Sequence, residues 1–440
     1  MIAERSMKRV VITAVLVVVL AVFAVFQIGR CTRHGDTKFF FAAGEAVLTG
    51  GDPYVDSVVG GGYLYPPFFA VLMVPFHLMP RLLAETLWFA LNFASLVLLF
   101  ATSLYLLEAP AEPLGRWLGR KLGRLTEGRF NRVVVATAVL SARYWMDNVG
   151  YGHINAVLWA LSLLGVYFAL RRRRLGGGAL LGVAVATKLI TAPVLAYLFV
   201  KRRWAAIVVA LVVAAVLLVG PAAALGWERN VELFKDWYVK VVRSSMVESY
   251  YLGYDYNMSL HSLIYVYARW LSGAADRLTL YRPAWFPYVR WAVTLLFVAP
   301  FFFPYLRRRR PRDEAEAAAT GGLQLSIIIL AGVLLSPASW PSHFVATVFP
   351  YMAALYVLRE AASRPARVAC YVLLALSFIT HSLTSGDIWG AAMREAFYDL
   401  KCITWATLLL YAAIVVLLLS SRSAGPAPAT GRALASDGGR

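Results

Sequence analysis

Charge is scarce in this chain: Asp, Glu, Lys and Arg together make up 15% of its 440 residues, against 60% for the hydrophobic set. Soluble domains carry about 25% charged residues, and a mean hydropathy of +0.65 excludes that class. Two-residue alternation over repeated short blocks is missing, which excludes an outer-membrane barrel. Cysteine is nearly absent, and Cys31, Cys370 and Cys402 show neither paired nor metal-like spacing, so no disulfide framework is indicated. The chain lacks a Gly-rich phosphate loop, a zincin motif and a nucleophile elbow, which leaves nucleotide, serine and zinc hydrolysis without support. Glycoside hydrolysis requires paired carboxylates. Asp36 and Asp52 are candidates for such a pair, but their separation is not a property of sequence.

What the chain does have is apolar runs of membrane-spanning length, about 20 residues each. The fold class expected is therefore an all-α polytopic membrane protein. Lys8–Arg9, Arg116/Arg120/Lys121/Arg124, Arg171–Arg174, Lys201–Arg203, Arg307–Arg310 and Arg359/Arg364/Arg367 form short basic clusters. Clusters of this kind mark cytoplasmic loops rather than a nucleic-acid surface. Threading the apolar runs between them predicts twelve spans: 10–29, 82–107, 132–147, 152–170, 176–188, 190–200, 204–225, 287–306, 321–338, 342–358, 367–383 and 401–420. Both termini are then inside. The first span follows Lys8 and Arg9, is long and lacks a small-residue cleavage site, so it reads as uncleaved. The pair 176–188 and 190–200 is flanked by basic clusters at both ends. Its arms rise only about 17–20 Å, which makes it a short hairpin with Lys188 at the tip.

Three segments fall outside the twelve. Residues 65–80, "YPPFFAVLMVPFHLMP", read as a Pro-started helix interrupted at Pro75 and half-buried on the outer face. Leu114, Leu118, Leu122 and Leu125 share one side of a stretch that also carries Arg116, Arg120 and Arg124, as in an interfacial helix on an anionic leaflet. Residues 421–440 read as a disordered cytoplasmic tail, behind a single membrane domain covering 1–420.

With that topology the inner face carries repeated arginine and the outer face an assortment. Arg33, His34 and Asp36 follow the first span. Asp52 and Tyr54, Asp147, His153 and Asn155, and Lys188 come next, then Asn257 and His261, and finally Trp340 and His343. Polar residues converging from separate segments predict a site at the outer membrane surface, built from loops 30–81, 226–286 and 336–343. Asp36 taken alone is also what a helix start carries, favoured by the dipole. Lys188 is harder to explain structurally, because an unpartnered lysine in an apolar hairpin costs about 2.5–3.5 kcal/mol. Snorkelling relieves that cost, and so does a phosphate or carboxylate partner. His153 and His343 are each equally compatible with an ordinary loop histidine.

Five matches in order carry a resemblance, the first of them made of two neighbouring stretches. Asp36 with "AAGEAVLTGGDPY" (42–54) and "YPPFFAVLMVP" (65–75) open it. "GYGHIN" (150–155), "GVAVATKLITAPVL" (182–195), "NMSLHSLI" (257–264) and "LLSPASWPSHF" (334–344) follow. Together they resemble glycosyltransferase family 87, which includes polyprenol-phosphate-mannose-dependent mannosyltransferases of the membrane GT-C fold. His153 and Met258 stand where the family more often has Gln. The resemblance implies transfer of a sugar, mannose first, from a polyprenyl-phosphate donor to a hydroxyl of a lipid-linked or glycan acceptor. The reaction side is the extracytoplasmic face of the cell membrane, with membrane lipids around it and no nucleic acid. It implies Asp36 as general base, Lys188 and Arg33 at the donor phosphate, and His343, Trp340, Asn257, His261, Tyr54, His153 and Asn155 at the sugar or acceptor. No cofactor is expected, and no carboxylate pair demands a metal. The contrasting reading is a lipid or sugar transporter, which predicts internal repeats and mid-membrane polar residues in both halves. No such repeat is visible.

Overall fold

The computed structural model describes residues 2–55, 62–126, 131–244, 250–273, 284–306, 311, 313–360 and 363–420. The expected Arg307–Arg310 cluster and the tail 421–440 lie outside them. The first half is built from α1 (Ile2–His34), α2 (Thr37–Thr49), α3 (Pro67–His77), α4 (Arg81–Glu108), α5 (Leu114–Thr126), α6 (Arg132–Leu140), α7 (Ala142–Gly150), α8 (Asn155–Leu170), α9 (Arg174–Thr187), α10 (Pro193–Val200) and α11 (Trp204–Val219). The second half continues with α12 (Trp227–Trp237), α13 (Leu260–Leu271), α14 (Phe286–Leu306), α15 (Glu314–Leu334), α16 (Val348–Glu360), α17 (Arg364–Ser382), α18 (Ala391–Asp399) and α19 (Cys402–Ser420). No strand occurs among the described residues.

Among the described residues eight helical segments are long and apolar enough to cross a membrane: Thr13–His34, Arg81–Glu108, Trp204–Leu225, Phe286–Leu306, Glu314–Leu334, Pro341–Arg359, Arg364–Ser382 and Cys402–Ser420. These match eight of the twelve expected spans. The other four do not stand as separate full spans. The run 132–147 divides at Ser141 into α6 and α7, and α7 and α8 form one apolar pair bent by 116°, which brings the number to nine. At 14 and 8 residues, α9 and α10 rise about 21 and 12 Å, short of the roughly 30 Å hydrocarbon layer.

Burial separates the core helices from those facing lipid. The spanning windows of α1, α11 and α14 are only 12, 17 and 11% buried, against 78% for α15 and 83% for Pro341–Arg359. The first three present their Val and Leu side chains to lipid, and the last two form the centre of the bundle. Local signals set the boundaries: Pro67 opens α3, the Asn131 side chain accepts from Val133 N at 2.9 Å at the start of α6, and Ser259 accepts from Ser262 N to start α13. Pro75 lies in the last turn of α3 without interrupting it, contrary to the sequence expectation. The helix is half-buried as expected, with Phe68, Phe69 and Met73 inside.

The hairpin α9–α10 is positioned by close backbone packing. A Cβ at Gly182 would lie 2.6 Å from Ala210 O and 2.7 Å from Val213 Cβ, so only a residue without one lets α9 meet α11 at this distance. We expect Gly182→Leu to push α9 from α11 and destabilise the protein by about 1–3 kcal/mol, read as a lower thermal-unfolding midpoint in detergent. An unchanged midpoint would show that the contact contributes little.

Candidate active site

The end of the first span and the break between α7 and α8 are locked together by short-range bonds. Asp36 N donates to Tyr151 O at 2.8 Å, and Trp88 Nε1, on α4, donates to Gly152 O at 2.7 Å. Gly152 has φ of 64°, and a Cβ there would meet Cys31 Sγ at 2.7 Å. Both the left-handed backbone and the close approach require glycine. The bend therefore turns His153 onto Asp36.

His153 Nδ1 lies 2.6 Å from Asp36 Oδ2. An ionised carboxylate only accepts, so Nδ1 donates. Asp36 begins α2 without bonding the helix amides through its side chain, so it is not merely a helix-start residue. Burial acts to raise its pKa. The neighbouring His153, with Lys188 and Lys38, more than offsets that and holds the carboxyl below its ordinary value. Asp36 is thus ionised at neutral pH and able to take a proton.

Asp36 and His153 line a cavity of about 510 Å³ whose wall also includes Arg30, Tyr65, Arg143, Asp147, Trp340 and Arg394. Beside it runs an apolar groove of about 410 Å³, walled by residues such as Ile190, Pro193, Val241, Ile328 and Leu335. Leu64, Lys188 and Trp340 line both spaces. Lys188 sits in extended backbone between α9 and a short 3-10 turn, and its Nζ donates to Asn155 Oδ1 at 3.0 Å. The ammonium also lies 5.3 Å from the centre of the Tyr65 ring. Trp340 N donates to His343 Nδ1 at 3.3 Å, so Nε2 carries the proton, and among the described residues that buried atom has no partner. His343 lines the groove that Lys188 enters.

Other expected site residues are placed elsewhere. Arg33 is exposed, donates to Gly29 O and lines neither space, because the helix continues to His34 and turns it outward. Tyr54 is buried with its hydroxyl on Tyr65 O at 2.8 Å. Asp52 is held by Lys240 at 2.6 Å and by Tyr54 N at 2.8 Å. Asn257 is a scaffold residue: its amide donates to Tyr251 O and Pro337 O while its oxygen accepts from Ser259 N and Ser339 N. His261 lines a separate pocket with Arg290, Trp291 and Thr294. Asn155 touches the site only through Lys188.

Of the ionic wall of the polar cavity, sequence reasoning named Asp147 and missed Arg30, Arg143, Asp387 and Arg394. Arg143 pairs with Asp147 and donates to Tyr398 OH at 2.8 Å. Arg30 pairs with Asp147 at 3.5 Å and Asp387 at 2.9 Å, and donates to Tyr151 OH at 3.1 Å. An arginine inside an apolar span is itself a functional signal, and Arg143 carried it. Asp387, Arg394 and Tyr398 come from 386–399, a stretch with no signal of its own. Among the described residues no group of three or more His, Cys, Asp or Glu is arranged to hold a metal ion.

Comparison with known proteins gives the site a family. A polyprenol-phosphate-mannose-dependent alpha-(1-2)-phosphatidylinositol mannoside mannosyltransferase of Mycolicibacterium smegmatis is 27% identical over 415 residues, 90% of this chain and 86% of that protein. The protein of the same description from Mycobacterium tuberculosis is 27% identical over 290 residues, 64% of this chain and 59% of its own length. No solved structure shows a significant match. The family model for glycosyltransferase family 87 matches residues 63–337, which takes in the bend at Gly152, Lys188 and Asn257, and since that is more than half of the sequence, this chain belongs to glycosyltransferase family 87.

Proposed function

We propose that this membrane glycosyltransferase moves a mannosyl residue from a polyprenyl-phosphate donor to a hydroxyl of a lipid-linked or glycan acceptor, with Asp36 as general base. The observation that carries the reading is the meeting of an apolar groove and a polar cavity at Lys188. A polyprenyl chain is apolar, its phosphate is anionic and its sugar is polar, so one donor needs these three environments in that order. The groove takes the chain, and Lys188 with the His343 Nε2–H takes the phosphate. The polar cavity takes the sugar and the acceptor. Family membership favours this chemistry over the transporter reading.

The step balances without a metal or a redox partner. The acceptor oxygen forms a bond to the anomeric carbon as its proton passes to an Asp36 carboxylate oxygen. The bond between that carbon and the phosphate oxygen breaks, and polyprenyl phosphate leaves with its new charge beside Lys188. His153 holds the Asp36 carboxylate in one orientation, which matters because small misplacements of a base cost rate steeply.

The reading places the site on the extracytoplasmic face, since Arg171–Arg174 and Lys201–Arg203 close the helices that reach away from Lys188. The three native cysteines are buried, so introduced cysteines report sidedness. We expect one at position 38 and one at position 172 to react with an impermeant maleimide from opposite sides of intact cells. Labelling of both from one side would remove the assigned orientation.

Asp36→Asn keeps the shape and accepts no proton, so turnover should fall about 10²–10⁴-fold while the donor still binds. Asp36→Glu should also be impaired, because the oxygen moves by a methylene. Near-normal turnover of Asp36→Asn at saturating substrates would eliminate Asp36 as the base. Lys188→Met removes a charge-assisted contact and should raise the donor KM about 10- to 100-fold, with the acceptor KM unchanged. Unaltered activity at limiting donor would mean that Lys188 serves only Asn155.

A further inference from the structure

A cavity larger than either active-site space lies elsewhere in the molecule. It has a volume of about 940 Å³ and lies between α4, α5 and α6. The 28 residues of α4 rise about 42 Å. Its first turns lie beside the active site, where Glu85 accepts from Thr32, and the cavity begins at Phe93 and ends beyond Leu104, toward Glu108. The two spaces thus lie toward opposite ends of one spanning helix.

The walls are apolar along the axis: Phe93, Val97, Phe100 and Ala101 on one side, Val134 and Ala138 on the other. From Phe93 to Leu104 this wall is about 17 Å long, close to half of the roughly 30 Å hydrocarbon layer, which is the depth of one leaflet. At the Glu108 end the lining changes to Lys121, Arg124, Arg132 and Arg359. Glu108 accepts from Lys121 Nζ and Trp117 Nε1 at 2.7 and 2.8 Å. Among the described residues Arg124 and Arg132 make no ion pair and no carboxylate lines the cavity there. The amphipathic α5 roofs this end, with Leu118, Leu122 and Leu125 turned inward.

We propose that this groove binds one anionic glycerophospholipid from the arginine-side leaflet. Its phosphate meets Arg124 and Arg132, and an acyl chain lies along α4 between Leu104 and Phe93. Basic pockets between spanning helices on this side select anionic headgroups. A zwitterionic headgroup would add an ammonium to a cluster that offers it no lining carboxylate, so it is disfavoured by the same charges. The donor is excluded on position, since its phosphate belongs near Lys188. The lipid fills the space between α4 and α6 and joins α5 to both, which gives that helix a binding role.

The experiment is native mass spectrometry of the full-length protein after exchange into detergent holding equal amounts of phosphatidylglycerol and phosphatidylcholine. One phosphatidylglycerol should be retained in preference to phosphatidylcholine. The double variant Arg124→Gln/Arg132→Gln should bind phosphatidylglycerol about 25-fold more weakly, each basic residue near an anionic surface being worth about fivefold. Ala101→Trp fills the acyl part of the groove and leaves the charges intact, and it should abolish retention. Glycerol phosphate without acyl chains should not compete. Equal retention of the two phospholipids would reduce the site to a non-selective lipid contact and overturn the proposal. So would unchanged binding by the double variant, whose substitutions are on exposed side chains and leave the fold in place, or full retention by Ala101→Trp.

Discussion

Everything in the active site depends on how the turn 31–37 docks on the bend between α7 and α8. The backbone bond from Asp36 N to Tyr151 O fixes the two segments at one register. Trp88 holds the bend from the α4 side through Gly152 O, and the missing side chain at Gly152 lets it approach Cys31. The contacts of Trp88 and Cys31 are buried, where water does not compete for them. A shift of one residue in either segment would separate Asp36 from His153. The same bend opens α8 with Asn155, and Asn155 holds Lys188. Base and cation are therefore positioned by a single local structure.

The polar cavity is built from charges that mostly neutralise one another. Arg30, Arg143, Asp147 and Asp387 form one connected set, and Tyr151 and Tyr398 complete its hydrogen bonds. Buried charges persist only when paired and bonded in this way. Asp36 and Lys188 are different. Each carries a neutral or titratable partner, His153 or Asn155, in place of a full opposite charge at contact distance. The groups assigned to chemistry are the ones left with capacity for a substrate, while Asp52, Tyr54 and Asn257 have theirs committed to the scaffold.

Eight spans were legible because each is a continuous apolar run bounded by basic clusters, and hydropathy reports that directly. In the stretch from 132 to 200 the short hairpin around Lys188 was legible, but 132–147 and 152–170 were read as two separate spans where the structure has one bent pair. Hydropathy there is as high as elsewhere, but Ser141, the bend at Gly152 and the extended Lys188 break the helices into pieces shorter than a bilayer. Likewise the helix over 67–77 was legible from Pro67, whereas Pro75 was overweighted. A proline in the last turn forfeits little, since few hydrogen bonds remain beyond it.

Composition and order of residues alone determined that this chain crosses a membrane repeatedly as helices. They also determined that its basic residues collect in short loops and that the polar groups to examine are Asp36, Lys188, Arg33, His343, Trp340, Asn257, His261, Tyr54, His153 and Asn155. Charge and hydropathy are properties of residues in order, so they survive without coordinates. Only the tertiary structure decided which of those groups share a space. Arg33 and Asp36 are three residues apart, yet one faces outward while the other meets a histidine 117 positions away. Helix rotation, a bend of 116° and the close approach at Gly152 set those directions. None of them follows from a residue's type, because each depends on which neighbour the packed bundle puts against it.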